Sequence, residues 1–235
     1  MNKTKLFLLA VAFAAINSAQ AEWKFGIGAG AGAFDIDGDL TLADNSGDLE
    51  FDSGDMESAI SLQGYAATGA WIFRASVFSF EVEADQTPTP GVVLQDVNFE
   101  QTILDLTAGY KWVEDGAWTI TTYAGLRSVS QEMTGPAITG DFDNTWTDGI
   151  LGSSATYALN EKWFWSSALE AGFGGSEGVF GANTGITWRF AMDWSASAIL
   201  SWSAAEYEEG DAGDADHYLY DANLTKLGLG IVYHF

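Results

Sequence analysis

Three groups of side chains in the 235-residue sequence could do chemistry. In the stretch DIDGDL, Asp35, Asp37 and Asp39 alternate as the oxygen ligands of a calcium loop do. An EF-hand would place glycine at its sixth position and glutamate at its twelfth, and Leu40 and Ser46 stand there. The expectation is weak divalent-cation binding by an acidic loop, with no cofactor and no dedicated metal site. In GDADHYLY, Asp214, Asp216 and His217 put a histidine beside carboxylates, a combination able to activate water. Asp85 and Asp141 are further carboxylates that other loops could bring to it. The third group is dispersed: Arg74, Asp105, Lys111, Arg127, Asp148, Glu170 and Arg189, joined by Lys226.

Other chemistries lack their parts. Serine hydrolysis needs a base beside the nucleophile, and the only histidines are His217 and His234. GIGAGAGAF resembles a phosphate loop in composition, but no helix follows to complete the cradle. Gly26, Gly28, Gly30 and Gly32 share one parity, as on a smooth wall against which something bulky packs. Asp and Glu total 33 against nine Lys and Arg, so nucleic acid is excluded as a partner. The surplus keeps loops solvated and favours cations.

The elements that position these residues are strands. Two-residue alternation recurs in about ten segments, near 23–35, 58–67, 71–83, 97–112, 117–129, 145–159, 163–174, 179–190, 194–207 and 218–235. Short links at 68–70, 113–116, 160–162 and 191–193 alternate with long acidic loops near 36–57, 84–96, 130–144 and 208–217, plus a shorter GGSEG at 174–178. That parity is how an up-and-down transmembrane β-barrel is built, and ten strands are expected, with eight as the alternative. Cysteine is absent, so disulfides cannot hold the fold.

Each short link is followed at once by Trp71, Trp118, Trp163 or Trp194, while Trp112, Tyr157, Trp188, Phe190 and the terminal Phe235 close strands at the same height. This is an aromatic girdle at a membrane–water boundary. Leu104, Leu106, Ala108 and Tyr110 would then face lipid, and Asp105, Arg127, Asp148, Glu170 and the other dispersed charges would face a polar lumen. Unpartnered charges there are costly, so paired networks or contained water are expected.

Lys3 and Lys5 before an apolar run, with small residues at Ser18–Ala21, predict a cleaved signal peptide over 1–21 and a barrel domain over 22–235. DLTAGYKW, YAGLRSV, WTDGILGSS, ALEAGFGGSEG and the closing LGLGIVYHF are similar to segments of an uncharacterised family of small Gram-negative outer-membrane barrels. The resemblance covers about 102–235. It implies Asp105, Arg127, Asp148 and Glu170 as inward polar residues, and an outer-membrane location. The terminal aromatic Phe235 also resembles the C-terminal signal read by outer-membrane assembly machinery, and the acidic loops are expected to meet divalent cations, outer-membrane lipid and lipopolysaccharide. Lys111, Gly149 and Ser154 depart from the family's Arg, Pro and Arg. Asp and His at an outer rim also resemble omptin proteases, themselves ten-stranded barrels. The expected protein is a monomeric structural or surface-interaction barrel without enzymatic activity; a narrow solute channel and a rim hydrolase are the alternatives.

Overall fold

The computed structural model describes residues 22–42, 45–51, 56–84, 97–134, 142–211 and 217–235. Its strands are β1 (Lys24–Leu42), β2 (Asn45–Phe51), β3 (Met56–Thr68), β4 (Trp71–Ala84), β5 (Val97–Asp115) and β6 (Trp118–Thr134). They continue with β7 (Phe142–Ala158), β8 (Trp163–Gly174), β9 (Gly178–Arg189), β10 (Trp194–Glu209) and β11 (Tyr218–His234). Sequential neighbours pair antiparallel from β3 to β11, and β11 closes on β1 from Gly26↔His234 to Leu42↔Tyr218. Because β2 pairs only with the far half of β1, ten strands complete the ring. Closure gives every wall strand a neighbour on both sides, which removes the open edges a sheet otherwise exposes.

The chain reverses tightly at one end. Gly69 and Gly116 hold φ of 54° and 58° there, a region that side chains disfavour. In the next turn Asn160 Oδ1 accepts the amides of Lys162 and Trp163 at 2.9 and 3.0 Å. The tryptophans that follow each meet an aromatic on the neighbouring strand: Trp71 with Tyr110, Trp118 with Tyr157, Trp163 with Trp188 and Trp194 with Tyr233. Trp112 and Phe235 are exposed at the same end, Phe235 against Tyr233. Above this girdle the outward rows are apolar and exposed, with Leu126, Leu151, Leu169, Phe180 and Leu229 each more than half accessible. Such a continuous apolar belt is what a barrel presents to acyl chains.

Two expectations are corrected. The acidic stretch at 36–57 is not wholly a loop, since β1 runs to Leu42 and turns back as β2. Asp35, Asp37 and Asp39 therefore occupy a strand and point outward, exposed, while Phe34, Ile36 and Leu40 point in. Same-face Cα atoms on a strand lie about 6.8 Å apart, so these three do not wrap one ion as a calcium loop would.

The second correction concerns the bore, which is polar only in part. Its long-loop half is packed with Phe34, Ile36, Leu40, Phe80, Val82, Phe99, Val129, Met133, Trp146, Tyr207, Tyr218, Tyr220 and Leu224. β8 and β9 stop short of this layer, and their turn is tied to both flanking strands: Gly175 N to Thr147 O and Glu177 N to Glu206 O, each 2.9 Å. Above that turn β7 and β10 run on and stack Trp146 on Tyr207, centroids 4.3 Å apart and 9° from parallel.

Candidate functional site

Below the apolar layer the inward rows change character. Arg127 on β6 lies beside Asp105 on β5 in register. It donates to both carboxylate oxygens, Nε to Oδ1 and Nη2 to Oδ2, at 2.8 Å each. Nη2 also lies 2.7 Å from Glu170 Oε1 on β8, and Tyr123 Oη donates to Glu170 Oε2 at 2.9 Å. Planar guanidinium suits this fork, and both carboxylates receive a strong donor inside the barrel.

Small residues make the network possible. Glu170 and Tyr123 meet over Gly152, where a Cβ would run into the Tyr123 ring, and Gly181 leaves room for the Glu170 stem, whose Cγ would sit 2.8 Å from any Cβ there. Next to it lies a cavity of about 350 Å3. Arg127, Asp105, Glu170 and Lys226 line it with Asn183 and Ser201. The ammonium of Lys226 sits 4.3 Å from the centre of the Phe78 ring. Inward Gln63, Arg74 and Ile199 keep accessible surface, so the short-turn half of the bore holds open space.

Of the residues expected in the lumen, the structure joins Asp105, Arg127 and Glu170 directly, and Lys226 shares their cavity. Arg74 faces the same bore within electrostatic reach of Tyr123. Lys111 lies at the short-turn rim, 3.3 Å from Glu114, and Arg189 is exposed there with its guanidinium 5.7 Å from the Phe164 ring centre. Asp148 departs from the expectation. Although in register with Arg127, it is 1% exposed and accepts the Ser176 amide at 2.8 Å, holding the β8–β9 turn. Its Oδ2 and the Ser176 hydroxyl have no partner among the described residues. Tyr123 is a member of the network that the sequence reading does not include, though its inward parity two strands from Glu170 is a signal the sequence carries.

At the mouth, His234 bridges the seam: Nδ1 lies 2.8 Å from Tyr65 Oη and Nε2 lies 2.9 Å from Ser195 Oγ. Tyr65 reaches it by lying across Gly26, where a Cβ would overlap the ring. Of the glycine row, Gly26 lies under this bulky neighbour, while Gly30 and Gly32 meet backbone and Ser61. Ser195 is 3% exposed, and no carboxylate orients the imidazole among the described residues, so the pair clamps β3, β10 and β11 together.

At the opposite rim His217 is buried, with Nε2 3.1 Å from Glu208 Oε1. Asp214, Asp216, Asp85 and Asp141 lie outside the described residues. No three metal-ligating side chains converge among the described residues.

No protein-family model and no curated protein sequence matches the chain. Among solved structures, the outer membrane protease OmpT from Escherichia coli is similar at a TM-score of 0.53 and 10% identity, over 93% of this chain and 99% of that one. A major outer membrane protein from Thermus thermophilus is similar at 0.45 and 17% identity, over 91% and 99%. Ail of Yersinia pestis is similar at 0.41 and 10%, over 91% and 99%. The first likeness shows the fold: a closed, antiparallel, up-and-down ten-stranded barrel of the kind found in outer membranes.

Proposed function

We propose that the chain is a monomeric Gram-negative outer-membrane barrel with a structural or surface-interaction role, whose lumen does not conduct. The observation that carries this is the apolar layer from Phe34 to Leu224, which fills the long-loop half of the bore with contacts as close as 4.2 Å between the Phe34 and Phe80 ring centroids. An ion entering that layer would lose its hydration without gaining a partner. Residues 1–21 act as a cleaved signal peptide, the short turns face the periplasm, and the C-terminal strand with Phe235 is read by the assembly machinery. The resemblance of 102–235 to the family of small barrels supports the same location.

Outward carboxylates support a surface role. Glu81, Glu100, Glu132 and Asp143 lie side by side across β4 to β7, and Asp39, Asp221 and Glu206 across β1, β11 and β10. Like charges so placed repel each other. Divalent cations relieve that repulsion where the barrel meets lipopolysaccharide phosphate.

Planar-bilayer recording of the purified protein tests the reading. Electrically silent insertion agrees with it, whereas discrete steps that grow with salt concentration make the protein a channel. The rim is assigned no catalysis. Peptide turnover that disappears in His217→Ala would make it an omptin-like hydrolase instead.

A further inference from the structure

The basic side chains on the strands share one face. Although the whole sequence carries a net charge of −24, the basic residues on strands, Lys24, Arg74, Lys111, Arg127, Arg189 and Lys226, all take the inward parity. Asp35, Asp37, Asp39, Glu132, Glu206 and Asp221 take the outward one. Within the wet half of the bore, Arg127 is matched by Asp105 and Glu170, and Lys111 by Glu114. Arg74 and Lys226 form no ion pair with any described carboxylate. An acidic protein therefore gathers its strand cations in the short-turn half of the bore, below the apolar layer.

Lys226 is the group best placed to use that field. It projects into the cavity of about 350 Å3, a volume within the range of small-molecule sites. Its neighbours on that wall are hydroxyl and amide donors, Ser201, Ser203 and Asn183, with Phe78 and Ile103 supplying apolar surface. Arg127 and Tyr123 hydrogen-bond the two carboxylates, whereas the Lys226 ammonium makes no hydrogen bond to a described residue and rests against the Phe78 ring. An ammonium with nearby hydroxyls and an apolar shelf suits a carboxylate on a small organic body.

We propose that the inner half of the lumen is a blind pocket for a small organic carboxylate, entered from the short-turn mouth and seated on Lys226. The word blind rests on the sealed-lumen reading above; the binding site itself does not. Arg74 and Arg189 lie along the approach and draw the anion in.

The test is calorimetric titration of the full mature protein in neutral-detergent micelles with succinate and with benzoate, and with ethanolammonium and glycerol as contrasts. Saturable binding of at least one carboxylate, weakened at least tenfold in Lys226→Met and retained in Lys226→Arg and Lys111→Gln, is the expected result. Met keeps the aliphatic contact with Phe78 while removing the charge. The unmodified protein supplies an independent readout: the same titration followed by amide NMR moves Gly181, Asn183 and Ser201 and leaves Met133 and Tyr220 in place.

Absence of saturable carboxylate binding overturns the proposal, as do affinities unchanged in Lys226→Met or shifts confined to the rim. If the protein binds carboxylate and also conducts, the sealed-lumen reading fails and the pocket stands. If it neither conducts nor binds, the reverse holds.

Discussion

The two halves of the bore share most of their strands, although β8 and β9 stop short of the outer one, and they obey opposite rules. Toward the long loops the inward rows read Phe78, Phe80, Val82 on β4 and Val129, Gln131, Met133 on β6, and they pack like the core of a water-soluble protein. Toward the short turns the same strands supply Arg74, Ser76, Tyr123 and Arg127, and the interior holds ions and open space. A closed sheet has already satisfied its backbone, so the contents of the ring are free to differ along its axis. What separates the halves is side-chain choice on the shared strands, together with the early turn of β8 into β9. Two glutamines that intrude into the apolar half pair with each other, Gln131 donating to Gln101 at 2.7 Å and accepting from Tyr218 Oη.

The sharpest way to break the contrast is to hollow the apolar half. Phe80→Ala and Phe99→Ala each remove a ring with almost no exposure, and each should lower stability by about 3–5 kcal/mol in reversible urea unfolding. Together they should also introduce conductance steps in planar bilayers. Arg127→Met attacks the polar half, leaving Asp105 and Glu170 without their shared cation, for a loss of about 3–5 kcal/mol by the same assay. Arg127→Lys should recover only part of that, since an ammonium cannot make the two-pronged contact to Asp105.

Smaller effects follow from the support of the network. Gly181→Ala places a methyl 2.8 Å from Glu170 Cγ, and overpacking of this kind costs about 1–3 kcal/mol. The expected signature is destabilisation that Glu170→Gln does not relieve but Glu170→Ala does. At the rim, Lys111→Ala loses only a half-exposed pair with Glu114, and its unfolding midpoint should move by the equivalent of less than about 1 kcal/mol. A larger drop there would mean that the polar half extends to the mouth as one network.

Much of this architecture is legible in the sequence. The two-residue period locates every strand of the ring, and the tryptophan after each short link gives the girdle its height, because both signals are local and survive without tertiary knowledge. β1 beyond Phe34 is harder to see, because Asp and Gly in DIDGDLTL are poor strand formers and only the inward trio Phe34, Ile36 and Leu40 betrays the pairing with β11. The apolar plug is present in the sequence as large residues on the inward parity of the outer strand halves. Binary patterning does not distinguish a ring filled with side chains from one filled with water. Asp105 with Arg127 can be read from adjacent inward rows, whereas the diversion of Asp148 to Ser176 depends on how the β8–β9 turn folds, which no period encodes.

The division of the lumen is tested most directly by thiol scanning along one inward row, which the absence of native cysteine makes clean. Ser76→Cys and Val82→Cys stand on the same face of β4, one lining the cavity and the other in the apolar layer. With the protein in liposomes, a membrane-impermeant maleimide offered at the short-turn side should label Ser76→Cys rapidly and leave Val82→Cys unmodified from either side. Comparable labelling of both positions would contradict the account, for it would mean that water runs through the whole bore.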